Sequence, residues 1–213
     1  MNTLALNNIS YGLFVLTASD AQSKLNACIL NTAMQVTISP NAIAVAVNKS
    51  NLTHDMVASS KEFTISIISE KADFEMFKRF GLQSGRDVDK FCDYPYIAKN
   101  SLGAAYITEH TNAYVHGKVK EIVDLGTHSL FIADVLDADI LSDDPSMTYD
   151  YYHKNVKPAP AVSATEGNDN EEASTGKWVC KICNYVYEGD ELPQDFICPW
   201  CKHPASDFER VTE

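Results

Sequence analysis

The chain has 213 residues, is 45% hydrophobic and carries a formal net charge of −12, with ten Tyr and nine Phe. That is apolar material for one full-sized domain plus a small one, and too little length for two large domains. Acidity in every segment excludes a phosphate-neutralising nucleic-acid surface, and no run approaches the roughly 18 apolar residues of a membrane helix.

The opening MNTLALNNIS lacks the basic start and long apolar run of a secretory leader, so a cytoplasmic protein is expected. Segments rich in β-branched, aromatic and small apolar residues then recur: Tyr11 to Ala18, Leu25 to Val36, Ala42 to Val47, Phe63 to Ile68, Ala113 to Val123 and Leu130 to Ile140. Asp20, Pro40, Asn48 and Gly126 punctuate them, so each reads as a strand. One helix is expected to open near Asn51. A second covers Asp73 to Phe80, where Phe74, Phe77 and Phe80 recur at helical spacing before Gly81 stops it. Strands this many and this short favour a mainly β, antiparallel barrel over a doubly wound sheet. Neither GxGxxG nor a P-loop occurs, and the six His show no close metal-ligand spacing. Cys28 and Cys92 stand alone and are expected as buried small hydrophobes.

Between the third strand and the first helix lies the run Asn48-Lys49-Ser50-Asn51-Leu52-Thr53-His54. A strand end followed by a helix start gathers unpaired backbone N–H groups, two hydroxyls and an ammonium, which suits a phosphate. Ser and Asn are also ordinary helix caps, so a plain cap is the alternative reading.

The stretch from Lys157 to Gly176, KPAPAVSATEGNDNEEASTG, has no aromatic residue and no large aliphatic beyond Val162. It cannot bury enough surface to offset its ordering entropy and reads as a flexible linker with a root-mean-square span of about 25 Å. The expected division is therefore a barrel over residues 1–156, a linker over 157–176 and a small metal domain over 177–213.

In that last segment Cys180-Lys-Ile-Cys183 is followed, after fourteen residues, by Cys198-Pro-Trp-Cys201. Each Cys-x-x-Cys forms a knuckle that places two sulfurs on one metal, giving a tetrahedral four-thiolate site open to iron or zinc. Trp178, Tyr185, Tyr187, Phe196 and Phe208 supply an aromatic shell that excludes water from the sulfurs. The segment WVCKICNYVYEGDELPQDFICPWC resembles the rubredoxin family, which implies one iron ion. Asn184 and Lys202 stand where that family commonly has Gly after each knuckle.

The segments SYGLFVLTASD, KLNACILNTAMQVTISP, NKSNLTHDMV, FTISIIS, RFGLQSGRDVDKF and VDLGTHSLFIADV, in that order, resemble the flavin reductase-like FMN-binding split barrels. The resemblance implies a homodimer with FMN near the subunit interface and the FMN phosphate held by Asn48, Lys49, Ser50 and Thr53. It lays the isoalloxazine along the strand from Asn26 through Ala27 and Cys28 to Asn31 and Thr32. It brings Ser84, Arg86 and Lys90 near the cofactor, and places His128 where the family's Gly-Asp-His segment approaches the flavin, with Thr127 in place of Asp. A solvated charged loop and an unliganded His remain the alternatives for these last two features. The resemblance of the two joined domains implies electron flow from NADH or NADPH through FMN and iron to a flavodiiron-type O2 or NO reductase. No protein residue is expected as catalytic acid, base or nucleophile, because the cofactor carries the difficult chemistry. Two other functions stay open: a flavin or ferric reductase acting on small acceptors, and a non-redox zinc ribbon tethered to a flavin-binding barrel.

Overall fold

The computed structural model describes residues 8–158, 176–181, 185–198 and 204–211. The chain divides into two compact units, Met1–Val156 and Lys157–Glu213. The expected linker falls almost wholly on residues 159–175, outside the described residues.

The first unit runs β1 (Phe14–Ser19), β2 (Leu25–Leu30), β3 (Ala33–Ile38), β4 (Asn41–Asn48), helix α1 (Leu52–Ser60) and β5 (Glu62–Ile68). Helix α2 (Phe74–Gly81), a short hairpin of β6 (Ile97–Lys99) and β7 (Ala105–Ile107), and the long strands β8 (Thr111–Asp124) and β9 (His128–Ile140) follow. Helix α3 (Tyr149–Tyr151) continues into a π-helical turn, Tyr152–Val156.

Seven strands form one antiparallel sheet in the order β2-β1-β5-β8-β9-β4-β3. The two edge strands, β2 and β3, are consecutive in the chain and joined only by Asn31 and Thr32. So short a link reaches no more than about 10 Å, so the sheet must curl until its edges approach. The product is a barrel with a seam between β2 and β3. The segment 25–36, expected as one strand, is two for this reason: the chain leaves one sheet edge and joins the other. At the crossing the Thr32 hydroxyl donates to Asn31 Oδ1 (3.1 Å), and Thr32 C=O accepts from Ala46 N–H (3.1 Å).

Alternation along the strands separates two cores. Leu16, Cys28, Val45, Phe63, Ile65 and Phe131 fill the barrel, which Met56 and Val57 of α1 close at one end. The other face of β1 and β2, with Val15 and Ala27, packs on Met76, Phe77 and Phe80 of α2. Each such buried side chain contributes about 1.5–3 kcal/mol, so these two helices are anchored by packing more than by propensity. Asp73 caps α2 by accepting from Glu75 N–H (3.0 Å), while Lys78 and Arg79 complement the dipole in its last turn. Gly81 belongs to the helix, contrary to expectation. The stop is Leu82, whose N–H turns back to Phe77 C=O (3.0 Å). Cys28 is buried as expected, but Cys92 is exposed beside the Asp93 carboxylate, which pushes its thiol pKa up.

The second unit is a three-stranded antiparallel sheet in the order β11-β10-β12: β10 (Lys177–Cys180), β11 (Val186–Glu188) and β12 (Phe208–Val211). Phe196 lies with its ring centroid 4.7 Å from Tyr187 and 5.4 Å from Phe208, giving this small body an aromatic core.

Candidate functional site

At one end of the barrel the β4–β9 ladder closes on the pair Asn48 and His128. The chain then turns tightly. Ser50 N–H donates to Asn48 Oδ1 (2.9 Å) and Asn51 N–H to Asn48 C=O (3.1 Å), bringing Asn51 into position to cap α1. His54 N–H donates to Asn51 C=O (3.1 Å), which leaves the first-turn N–H groups of Leu52 and Thr53 directed out of the helix start. Lys49 joins this turn to the one between β8 and β9. Its N–H donates to Thr127 C=O (3.0 Å) and its Nζ bonds Asp124 Oδ1 (2.7 Å), and the Lys49 hydrogen bond holds the Asp124 carboxyl below its usual range. Ser50 is exposed at the tip. Outward N–H groups, a hydroxyl and an ammonium at the start of a nine-residue helix are the donor set of a phosphate cradle, so these residues fit the anionic end of a flavin nucleotide.

Strand β2 runs away from that cradle as a sheet edge. Asn26 is buried and donates from Nδ2 to Thr53 Oγ1 (2.9 Å), tying β2 to the second residue of α1. Burial pushes the Cys28 thiol pKa up, outweighing the lowering effect of the neighbouring Thr53 side chain. The loop after α2 then crosses over Asn26. Gly85 sits so close that a side chain there would place Cβ 2.2 Å from Asn26 Oδ1, which makes the glycine obligatory by close approach. On either side of it, Ser84 Oγ accepts from Arg86 N–H (3.1 Å), and Arg86 Nη2 bonds Asp55 Oδ2 (2.6 Å) on α1.

Lys90 is buried where the loop ends. Its ammonium donates to Ala27 C=O (2.8 Å) and Phe80 C=O (2.9 Å), bolting β2 to the end of α2, and burial lowers its pKa to about 8. Among the loop residues, Lys90 therefore meets one backbone carbonyl each of β2 and α2, and Arg86 meets α1.

The flavin-site residues expected from the sequence thus lie along one band. Asn48, Lys49, Ser50 and His128 share the turn end. Thr53, Asn26, Ala27, Cys28, Ser84, Arg86 and Lys90 form the linked network beside it, and Asn31 and Thr32 occupy the crossing between β2 and β3. His128 Nδ1 pairs with Thr127 Oγ1 (2.9 Å), so Thr127 meets the ring of His128 at the position where the resembled family has Asp.

Three neighbours escaped the sequence reading. His54 Nε2 meets Ser129 Oγ (2.9 Å) and its Nδ1 meets Asp55 Oδ1 (3.1 Å), while Asp55 also holds Arg86. Together they clamp α1 between β9 and the loop after α2. Hydrogen bonds from Arg86 and then His54 keep the Asp55 carboxyl below its usual range. The only signal for them was adjacency: His54 and Asp55 follow Thr53, and Ser129 follows His128.

In the second unit Cys180 ends β10 and Cys198 follows a bridge between Ile197 and Pro204; both are fully buried. Cys180 N–H donates to Tyr185 C=O (2.9 Å), and Cys180 pairs with Phe208 across the β10–β12 ladder, where the Phe208 ring meets Phe196. Two buried thiols in an aromatic shell fit a soft thiolate-bound metal. Cys183, Cys201, Asn184 and Lys202 lie outside the described residues.

Comparison with known proteins bears on both units. Residues 6–160 match the Flavin reductase like domain family, and residues 178–209 match the Rubrerythrin, rubredoxin-like domain family. The chain is 36% identical over 231 aligned positions to a high molecular weight rubredoxin of Moorella thermoacetica, covering 99% of this chain and 100% of that one. It is 34% identical over 165 aligned positions to a ferric-chelate reductase (NAD(P)H) of Archaeoglobus fulgidus, covering 78% of this chain and 96% of that one. Among solved structures, an NADH:FAD oxidoreductase of Streptomyces globisporus superposes with a TM-score of 0.61 at 18% identity, over 68% of this chain and 83% of that chain. That last likeness speaks to the fold.

Proposed function

Because this chain belongs to the flavin reductase-like domain family and carries a rubredoxin-like domain behind it, we propose that it is an NAD(P)H-dependent electron-transfer oxidoreductase serving a protein acceptor. In this reading FMN occupies the band along β2 and the helix start, and Cys180, Cys183, Cys198 and Cys201 hold one iron. A flavin supplies two-electron acceptance with single-electron release, whereas a four-thiolate iron carries one electron at a time.

The observation that carries the proposal is the pairing itself: a phosphate cradle with a sheet edge in one unit, and buried cysteines in an aromatic shell in the other. Lys49, Ser50 and the N–H groups of Leu52 and Thr53 hold and neutralise the phosphate. Asn26 and the edge of β2 orient the ring, with Lys90 and Gly85 fixing that edge from behind. His128 stands at the cradle next to Asn48. In the small unit Phe196 and Phe208 exclude water from the sulfurs and so help set the potential.

A homodimer belongs to the same proposal. Strand β3 exposes Met34, Val36 and Ile38, and β9 exposes Leu136 and Ile140. Beside them an apolar cavity of about 370 Å3 is walled by Phe14, Ile43, Ile65 and Val135. So much contiguous apolar surface calls for a cover, and a second copy supplies one. Sedimentation of Ile38→Asp is expected to give monomers; an unchanged dimer would place the interface elsewhere.

We take the acceptor to be a flavodiiron-type O2 or NO reductase and the compartment to be the cytoplasm. Among the described residues no helix is long and apolar enough to cross a membrane. The test is truncation after Val156. NAD(P)H should still reduce the bound flavin, while reduction of the protein acceptor is lost. Retained reduction of that acceptor would favour the flavin or ferric reductase reading, to which the similarity with a ferric-chelate reductase lends some weight.

A further inference from the structure

The outer face of the barrel carries a second polar site. Thr17, Thr64 and His116 lie side by side across β1, β5 and β8, under the hairpin of β6 and β7. Between sheet and hairpin is a cavity of about 190 Å3 lined by Thr17, Leu25, Glu62, Lys99, Leu102 and His116, among others. Thr17 Oγ1 and His116 Nε2 are both buried there without a hydrogen-bond partner among the described residues. Buried polar atoms are seldom left so, and each marks a place that ordered water or a ligand fills.

The tautomer of His116 follows from its neighbour. Asn100 Oδ1 accepts from Leu102 N–H (3.1 Å) and Ala104 N–H (2.9 Å), so its Nδ2 is the group that donates to His116 Nδ1 (3.3 Å). The neutral ring therefore carries its proton on Nε2, aimed at the cavity. Glu62 Oε2 lies 3.7 Å from Nε2, beyond hydrogen-bond reach, and is half exposed at the mouth. The ladder between β8 and β9 slips at His116 and Gly117, a bulge of the kind that re-aims a side chain.

Donor and acceptor thus stand side by side, and the strand of Thr17, whose hydroxyl has no partner among the described residues, lies two steps from that of His116, a backbone spacing of about 10 Å. A single ion or water cannot serve both ends, whereas several waters can. So can a flat heterocycle, if one edge bears a ring acceptor next to an amino group and a further acceptor lies across the ring. Leu25 and Leu102 offer it apolar walls. The cavity has the volume of about six waters, right for a base and too small for a dinucleotide. Leu25 also precedes Asn26, where the proposed flavin strand begins.

The geometry points to this cavity as the subsite for the adenine of the dinucleotide donor. The ring nitrogen accepts from His116 Nε2–H, the exocyclic amine donates to Glu62, and Thr17 donates to the far side. This inference rests on the NAD(P)H reading above. A carboxamide shows the same acceptor and amine, so the test separates the two ends of the donor.

Full-length protein is titrated calorimetrically with AMP and with nicotinamide mononucleotide, as wild type, His116→Phe and the isosteric Thr17→Val, which covers the case in which the first variant does not fold. AMP affinity should fall about tenfold in each variant with nicotinamide mononucleotide unaffected, and KM for NADH should rise by a similar factor, kcat moving less than KM. Absent AMP binding, equal AMP affinity in wild type and Thr17→Val, or a loss confined to nicotinamide mononucleotide would each overturn the assignment. Failure of NADH and NADPH to reduce wild-type flavin would instead overturn the donor reading, with AMP binding still reporting on the cavity.

Discussion

The two units reach their candidate sites by opposite routes. In the second unit the proposed ligand set is two Cys-x-x-Cys pairs of the sequence, and of these Cys180 and Cys198 are buried in a small body with an aromatic core. In the barrel the site is assembled from β2, the turn after β4, the start of α1, the loop after α2 and the β8–β9 turn. A local site can be moved between proteins as one piece. A distributed one exists only when the sheet has curled, so its residues are coupled to folding.

The largest effect should come from Cys180→Ser or Cys198→Ser. Either is expected to abolish metal binding, read as metal per chain, while flavin content stays at the wild-type level. Parallel loss of flavin would break the claimed independence. Next, Lys49→Ala with Ser50→Ala removes charge and hydroxyl from the cradle and should weaken FMN binding by about 100-fold, measured by equilibrium dialysis; metal content should not change. An unaltered affinity would return this turn to the role of a plain cap.

Lys90→Met probes the coupling to folding. It strands two buried carbonyls, Ala27 and Phe80, and should cost about 2 kcal/mol in denaturant midpoint analysis. A pH series sharpens the point. Burial lowers the Lys90 pKa from 10.5 to about 8, so the unfolded chain binds the proton more readily between those values. Wild-type stability should therefore rise relative to Lys90→Met as pH goes from 8 toward 10.5, and a flat difference would contradict the burial account. Smallest of all, Asp55→Asn loosens an exposed pair with Arg86 and should change stability by under about 0.5 kcal/mol.

What the sequence made legible follows the same division. The cysteine knuckles needed only spacing. The barrel strands showed through their alternation and turn residues, yet segment 25–36 read as one strand, because leaving one sheet edge for the other at Asn31 and Thr32 is a fact of sheet closure. The candidate phosphate turn was visible because its donors are consecutive. The clamp of His54, Asp55 and Ser129 was not, since its partners are 75 residues apart. Lys90 and Cys92 invert ordinary expectation: the lysine is buried by two carbonyls the sequence does not advertise, and the cysteine is left at the surface. His116 gave no signal at all, for its meaning depends on a bulge and on Asn100.

The central claim is that both units serve one electron path, and anaerobic titration with NADH tests it most directly, following flavin and iron absorbance in the full chain and in Cys183→Ser. The account predicts that both chromophores bleach in the intact protein and only the flavin in the variant. Iron that stays oxidised while the flavin bleaches, or one zinc per chain in place of iron, would contradict it.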